Sequence, residues 1–435
     1  MEQISIIIPI IRPEGAERCI AAIKKNAGIP VDQYEIVTMV DTERVGCPAM
    51  VESLIKKAKH DLIMFLGDDT VPEKDFLKEA LDSMRQFPDG FGVVGLNTEG
   101  PNFGNIGEHI IPENCNPLAH WMAHRKMLEY IPGGNFFSTD YAHCWCDNEL
   151  FDIADEVGRW VLSEKSKIIH NHPINKTAEY DEGYKQAYDD GKADRDMKTY
   201  FIRKRARMQK KYGVRLAIAL PLTDDKVYNQ FFFSFIKVIT EYMSSLVKSG
   251  RPILFDVIMP DFPCQIDAAR NNLVHQALML GCTHIIMMDT DQIYNTDNML
   301  EKMLAHNKPV IGARVHRRYP PFDPILLFGE VGKLLPIPDD AIKPDGEFNK
   351  ELQADFTGTG CIMFDTQIFI DMVPERWFQL TTGENGQVVG EDIGFCAKLK
   401  KMGIPVIVDA SIDIKHLTLL AVDWGTHKLF KKLMK

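Results

Sequence analysis

The sequence predicts an α/β protein with two tandem domains, each built on a mostly parallel central sheet flanked by helices. Three observations support this fold class. Short β-branched runs such as Ile4–Pro9 lack the polar alternation of a half-exposed strand, as expected for parallel strands covered on both faces. Such runs alternate with helical patterns. The order of acidic and histidine motifs in the first half of the 435 residues recurs in the second, and a chain of this length exceeds one hydrophobic core.

The first half alternates strands and helices. After Ile4–Pro9, the predicted elements are a helix over Glu14–Asn26, a strand over Tyr34–Val40, a helix over Ala49–Lys59 and a strand over Asp61–Leu66. Gly28 and Pro30 mark the end of the first helix. Ligands of open α/β sheets bind beyond the carboxyl ends of the strands. We therefore expect Asp41, Asp68 and Asp69 to share one crevice.

The second half repeats this pattern. Its predicted elements are strands over Arg215–Pro221 and Ile253–Met259, a helix over Asp267–Leu280 and a strand over His284–Met288. The last strand leads directly to Asp289 and Asp291. Residues 175–212 between the halves are polar and charged, so we predict domains at 1–174 and 213–435 joined by a charged helical linker. The repeat rests on motif order, because little residue identity accompanies it.

Composition favours a large soluble enzyme. No apolar run approaches the roughly 20 residues that span a bilayer, and the first residues lack the pattern of a signal peptide. The nine cysteines are scattered without CxxC pairs, as in a reduced cytosolic protein, so we expect a cytoplasmic location. The net charge of −11 argues against broad binding to nucleic acid, although it leaves a local basic groove open.

Paired acids follow one buried strand in each half. Asp289 and Asp291 are two apart in extended chain, so both carboxylates face the same side. Such a pair can hold Mg²⁺ or Mn²⁺ against the phosphate oxygens of a diphosphate leaving group. In the first half, Gly67 stands where the first acid is expected. This leaves Asp68 and Asp69, of which Asp69 matches the metal-binding acid.

A further acidic site precedes a helical pattern in each half. Glu391 and Asp392 open the pattern in the second half, where exposed N–H groups stabilise an anion and suit Asp392 to accept a proton. The alternative is that the two acids only cap that helix. Asp147 takes this position in the first half, with Cys146 in place of the glutamate.

Histidines follow these acids at similar spacing. His416 follows Asp392 after about as many residues as separate Asp147 from His170 and His172. The side chains of His170 and His172 lie on one side of a predicted strand, so the sequence leaves open which of the two corresponds to His416.

These motifs resemble those of GT-A glycosyltransferases, particularly of family 2, over nearly the whole chain and as a tandem pair. The resemblance is carried by Ile6–Pro9, Asp41, Gly67–Asp69 and Asp147 in the first domain, and by Ala269–Asn271, Asp289–Asp291, Thr357–Cys361, Gly390–Asp392 and His416 in the second. It implies a nucleotide-sugar donor, such as a UDP- or GDP-sugar, and a divalent cation on the DxD acids. It also implies that an acid of the ED motif deprotonates the acceptor, and that the late histidine binds metal.

The candidate site residues fall into three roles. They are Asp392, Glu391 and Asp147 for catalysis; Asp41, Asp68, Arg270 and Asp289 for the donor; and Asp69, His170, His172, Asp289, Asp291 and His416 for the metal. The sequence leaves open whether Arg270 contacts a diphosphate or a neighbouring carboxylate. The second domain is the stronger candidate for catalysis because its DxD motif is complete.

The resemblance leaves the acceptor and the stereochemistry open. Two-domain chains of this kind resemble bacterial polysaccharide synthases and phage-encoded transferases, so the acceptor is a glycan, a glycolipid or a hydroxylated nucleobase. A phage-encoded enzyme would work in the host cytoplasm. Family 2 favours inversion, whereas Ala269–Asp291 also resembles retaining mannosyltransferases.

Two other functions remain open. One is a sugar- or nucleotide-binding protein with a degenerate first domain. The other is a DNA-modifying glycosyltransferase, which needs a basic groove that only Arg203–Lys211 and Arg314–Arg318 offer.

Overall fold

The computed structural model describes residues 3–98, 118–173, 177–180, 185, 191–320, 322–337, 351–373, 376–382, 386, 388–418 and 424–433. The chain divides into two compact units, Met1–Tyr200 and Phe201–Lys435. The division falls within a helix, Lys192–Tyr212, in the predicted linker; residues 175–176, 181–184 and 186–190 of that linker lie outside the described residues. None of the helices in the described part of the chain has the length and apolarity needed to cross a membrane.

The first unit contains the strands and helices expected from the sequence. Its strands are β1 (Ile4–Ile10), β2 (Tyr34–Val40), β3 (Leu62–Phe65), β4 (Thr70–Pro72), β5 (Val93–Thr98), β6 (Trp121–His124) and β7 (Trp160–His170). Its helices are α1 (Pro13–Asn26), α2 (Cys47–Lys57), α3 (Phe76–Met84) and α4 (Cys146–Glu156), followed by α5 (Lys192–Tyr212), which continues into the second unit. All seven residues of β1 are buried, as expected for a strand covered on both faces.

The second unit has more strands, several of them short. They are β8 (Leu216–Ala219), β9 (Phe255–Ile258), β10 (His284–Met288), β11 (Gln292–Ile293), β12 (Val310–Val315), β13 (Leu326–Glu330), β14 (Lys333–Pro336), β15 (Glu351–Ala354), β16 (Phe356–Thr357), β17 (Cys361–Asp365), β18 (Thr381–Thr382), β19 (Val388–Val389) and β20 (Val406–His416). Its helices are α6 (Asn229–Lys248), α7 (Ile266–Met279), α8 (Met299–Ala305), α9 (Gln367–Met372), α10 (Glu391–Lys401) and α11 (Trp424–Leu433).

The two units share one order of strands in their main sheets. The first sheet runs β2-β1-β3-β6-β5-β7-β4 and the second runs β9-β8-β10-β17-β12-β20-β11, with β15 added beside β20. Corresponding neighbours have the same relative direction in both sheets. Even the register shift recurs, between Leu96 and Asn97 in the first sheet and between Ala313 and Arg314 in the second.

The predicted α/β class is confirmed, and the sheets are mixed. Three parallel strands form one side of each sheet, β2-β1-β3 in the first unit and β9-β8-β10 in the second. An antiparallel strand, β6 or β17, then separates them from the remaining strands. The two antiparallel steps across that strand restore the direction, so β5 and β7 in the first sheet, and β12 and β20 in the second, run parallel to the first three strands. Both sheets are therefore mostly parallel, as predicted, and the carboxyl ends of the first three strands carry the acidic motifs.

A buried acid on α5 fixes the loop before α4. Asp196 is fully buried, and its carboxylate accepts hydrogen bonds from the backbone N–H groups of Ala142, His143 and Cys144 at 2.9, 2.8 and 2.8 Å. Backbone groups bonded to a charged acceptor are held more firmly than those bonded to water. Asp196 therefore sets the position from which α4, and with it Asp147, begins.

We expect Asp196→Ala to lower the free energy of unfolding by about 2–4 kcal/mol, because it leaves three backbone donors without their acceptor. Urea denaturation followed by circular dichroism measures the change. Asp194→Ala is the matched control, since Asp194 is exposed on the same helix, and should change stability by less than about 0.5 kcal/mol. Equal stability of the two variants would contradict an anchoring role for Asp196.

Candidate active site

The acids of the second unit lie at the end of β10, and strand pairing places one of them beside His416. Gln292, the first residue of β11, pairs with His416 at the end of β20. The preceding residue, Asp291, therefore has its Oδ2 3.3 Å from the Nε2 of His416. The Nη1 of Arg318 donates to the same oxygen at 2.9 Å.

The ring of His416 is oriented by a backbone carbonyl. Its Nδ1 lies 2.7 Å from the carbonyl oxygen of His316, which can only accept, so Nδ1 carries the hydrogen. In the neutral ring the lone pair of Nε2 then faces Asp291, the arrangement that metal-binding histidines have. Burial lowers the pKa of His416, but its bonds to Asp291 and the carbonyl outweigh this and raise the pKa above its ordinary value.

Arg270 joins the DxD motif to the ED motif. Its guanidinium, 4% exposed, donates to the Oδ1 of Asp289 at 3.1 Å and to the Oε1 of Glu391. The sequence left open whether Arg270 contacts a diphosphate or a neighbouring carboxylate, and in the structure it contacts two carboxylates. Burial raises the pKa of Glu391, and the charge of Arg270 opposes that rise.

Asp392 combines a capping contact with a buried position. Its Oδ1 accepts from the backbone N–H of Ile393 at 2.7 Å, in the first turn of α10. Burial raises the pKa of the carboxyl, against the lowering effect of Arg270. A Cβ on Gly358 would lie 4.0 Å from the Oδ2 of Asp392, so no side chain of residue 358 covers that oxygen. The geometry is compatible with both the cap and the base predicted from the sequence.

Gly360 leaves space for the side chains of Gln292 and Asp289. A Cβ at this position would lie 2.1 Å from the Nε2 of Gln292 and 2.7 Å from the Oδ2 of Asp289. Both atoms are the ends of side chains, so any larger residue at this position would require Gln292 and Asp289 to move.

In the first unit, the same strand pairing identifies the histidine that corresponds to His416. Thr70, the first residue of β4, pairs with His170 at the end of β7. The preceding Asp69 has its Oδ2 3.5 Å from the Nε2 of His170. If Thr70 is taken as the counterpart of Gln292, then Asp69 corresponds to Asp291 and Gly67 to Asp289. This agrees with the order of the motifs in the sequence. His172 does not have this pairing, and its ring centre lies 5.1 Å from that of His170.

The first unit also brings its predicted acids together. Burial raises the pKa of the Cys47 thiol, and the charges of Asp147, Asp69, Asp68 and Asp41 raise it further, so all four acids lie near enough to act on this one side chain. A crevice shared by these acids at this edge of the sheet stays a prediction.

Two of these acids bind the backbone of their own unit. Asp68 accepts from the N–H groups of Ile11 and Arg12, both at 2.6 Å. Asp41 accepts from Val45 and Gly46 at 2.9 and 3.0 Å. These carboxylates hold the loops that follow β1 and β2, whereas their predicted role toward the donor stays a prediction.

His120 is a candidate residue that sequence reasoning missed. It directly precedes β6, which pairs with β3. One ring nitrogen of His120, a carboxylate oxygen of Asp69 and a ring nitrogen of His170 all lie within 4.8 Å of one another. Burial lowers the pKa of His120 to about 3, so the ring is neutral at ordinary pH. The one sequence signal was a histidine at the start of a buried apolar run.

The basic segment at the end of α5 is partly used in packing. Arg205 donates to the carboxylate of Asp365 at 2.8 Å and to the hydroxyl of Thr366 at 3.1 Å. Lys204 is only 9% exposed. This use favours a structural role for these two residues over contact with nucleic acid.

Comparison with known proteins shows distant structural similarity. No protein-family model and no curated protein matches the sequence. Among solved structures, A197 from STIV has a TM-score of 0.30 and 13% identity, covering 48% of this chain and 86% of that one. S. aureus TarS 1-349 has a TM-score of 0.33 and 12% identity, covering 46% of this chain and 65% of that one. Its complex with UDP-GlcNAc has a TM-score of 0.31 and 13% identity, covering 46% and 66%. Similarity at this level does not extend to activity.

We expect NMR titration of the metal-free protein to give His416 a pKa above the usual value of about 6.5. Asp291→Asn should lower this pKa, because it removes the carboxylate that favours the charged ring. Arg318→Gln should raise it, because the guanidinium opposes that charge. A raised pKa stabilises the folded state below about pH 6.5 and loses this effect as the pH rises through the folded-state pKa. Shifts of the same sign in both variants would contradict the geometry.

Proposed function

We propose that this chain is a metal-dependent glycosyltransferase that moves a sugar from a nucleotide-sugar donor to an acceptor hydroxyl, and that its principal site lies in the second unit. The observation that carries the proposal is the contact of Arg270 with both Asp289 and Glu391. Through this contact, two acidic motifs far apart in the sequence meet at the carboxyl edge of one sheet, where α/β proteins bind ligands.

The donor atoms at Asp291 suit a divalent cation. The carboxylate oxygen and the Nε2 of His416 lie side by side, and Asp289 supplies a second acid from the same motif. A mixed oxygen and imidazole set suits Mn²⁺ better than Mg²⁺. When bound, the cation would offset the negative charge that develops on the departing nucleoside diphosphate.

Arg318 is placed to bind the phosphates of the donor. Its side chain is more than half exposed, and it reaches Asp291 from the Arg314–Arg318 segment. A guanidinium binds phosphate as readily as carboxylate. We infer that Arg318 exchanges Asp291 for the diphosphate when donor and cation bind, so that this basic segment serves the donor and not DNA.

Asp392 would act as the general base toward the acceptor hydroxyl. Its raised pKa makes the carboxylate a stronger proton acceptor than an exposed aspartate. Its capping bond occupies Oδ1, and the lack of a side chain at Gly358 leaves room beside Oδ2. Glu391, bound to Arg270, would position α10 and would not exchange protons itself.

We expect the wild type with Mn²⁺ to release nucleoside diphosphate from a member of a panel of UDP- and GDP-sugars, with water in place of the acceptor. Asp392→Asn should lower this rate by about a hundredfold or more, the range for loss of a general base. Donor affinity, measured by calorimetry, should change by less than about twofold. Asp371→Asn, an exposed acid on α9, is the matched control and should leave the rate unchanged.

The pH profile gives an independent readout of the same role. Because Asp392 must be ionised to accept a proton, the rate should fall as the pH drops through a pKa above the ordinary range of aspartate. This acidic limb should be absent from Asp392→Asn. Unchanged release by that variant would leave Asp392 as a helix cap only. Donor binding without any release would identify a sugar-binding protein instead.

A further inference from the structure

We propose that Asp69, His120 and His170 of the first unit form a metal site for a divalent first-row transition ion. Asp69 precedes β4, His120 precedes β6 and His170 ends β7, so the three side chains are brought together only by the fold. One potential ligand atom from each lies within 4.8 Å of the other two. In the part of the chain that the structure describes, no other three histidine, cysteine or acidic side chains meet this closely.

The ring of His120 is held in place by aromatic neighbours. It is 4% exposed and stacks on Phe65, with ring centres 5.8 Å apart and planes within 9°. The ring of His170 meets it edge-on at 4.6 Å. A histidine in this position is therefore presented to the cluster in one orientation.

The two ring nitrogens of His120 have different surroundings. Its Nδ1 is inaccessible to solvent and has no hydrogen-bond partner among the described residues. Leaving a buried polar atom without a partner costs about 1–3 kcal/mol, and folded proteins rarely do so. The other ring nitrogen, Nε2, lies near the Oδ1 of Asp69 and is the ligand atom that His120 offers to the cluster.

Gly67 leaves the space in which the cluster assembles. A Cβ there would lie 2.5 Å from the Oδ1 of Asp69 and 3.2 Å from the Nε2 of His120, so both atoms converge beside its Cα. The corresponding position in the second unit is Asp289. The second unit thus offers two carboxylates and one imidazole at this edge. The first unit, with glycine in place of the first acid and with His120, offers one carboxylate and two imidazoles.

This ligand set determines the class of ion. Mg²⁺ and Ca²⁺ prefer oxygen ligands, whereas imidazole suits the later first-row ions such as Co²⁺, Ni²⁺ and Zn²⁺. Metal–ligand distances of about 2.1 Å put two ligands on one ion at most about 4.2 Å apart. The 4.8 Å limit of the cluster exceeds this by about 0.6 Å, so its ligand atoms would move closer together when an ion binds. The site does not depend on the activity proposed for the second unit.

The test is titration of the full, chelator-treated chain with Co²⁺, in an Asp291→Asn background that weakens cation binding by the second unit. Calorimetry and the visible absorption of the bound ion should show one equivalent of tightly bound Co²⁺.

His120→Phe keeps a ring on Phe65 but removes the nitrogen atoms. It should weaken Co²⁺ binding at least tenfold, since even loss of a partner behind a ligand costs about 10–100-fold. Gly67→Ala should also weaken it, although it removes no ligand. His60→Ala, which removes an imidazole outside the cluster, is the control and should bind like its parent.

Circular dichroism in chelator establishes that each variant is folded, and the nearly isosteric Asp69→Asn serves as the test if His120→Phe does not fold. Absence of a tight Co²⁺ equivalent in the Asp291→Asn background would overturn the proposal. So would unchanged affinity in a folded ligand variant, or Mg²⁺ binding as tightly as Co²⁺. None of these outcomes decides whether the second unit releases nucleoside diphosphate from the donor. That measurement, made with Asp291 intact, tests the transferase proposal separately.

Discussion

The candidate active site depends on one buried cation, the guanidinium of Arg270. Asp289, Glu391 and Asp392 are three carboxyl groups at one sheet edge, where like charges repel one another and burial raises the pKa of Glu391 and of Asp392. Arg270 binds two of them directly and lowers the pKa of Asp392 against the effect of burial. Removing one partner from such a buried cluster typically costs about 3–5 kcal/mol. The arrangement of both motifs therefore requires this residue.

The two units place different chemistry on the same strand order. In the second unit, Arg318 and His416 both contact the acid that ends the DxD motif. In the first unit, the equivalent Asp69 lies between His170 and Arg12, at 3.5 and 3.9 Å. An acid beside a histidine and an arginine is thus common to both edges. What distinguishes them is the residue two positions earlier, an acid in one unit and a glycine in the other.

Local sequence pattern was enough to predict the elements that lead to the acidic motifs, because burial on both faces leaves an uninterrupted apolar run such as that of β1. The pairing of Asp291 with His416 was accessible for a similar reason, since both follow strands within recognisable motifs. His120 was not accessible, because its position beside Asp69 depends on an antiparallel strand inserted next to β3, and such long-range pairing leaves no spacing signal. The partners of Arg270 were also hidden, since a helical arginine gives no sign of which carboxylates it will meet in the folded chain.

In the proposed function, Asp291 and His416 bind the nucleoside diphosphate through a cation. Calorimetric titration of UDP and GDP into the wild type and into His416→Gln tests this role of the cation. Each titration is done once with Mn²⁺ and once with chelator. We expect one of the nucleotides to bind the wild type with Mn²⁺, and we expect chelator or the substitution to weaken this binding at least about tenfold. Equal affinity in chelator, or in His416→Gln with Mn²⁺, would contradict it.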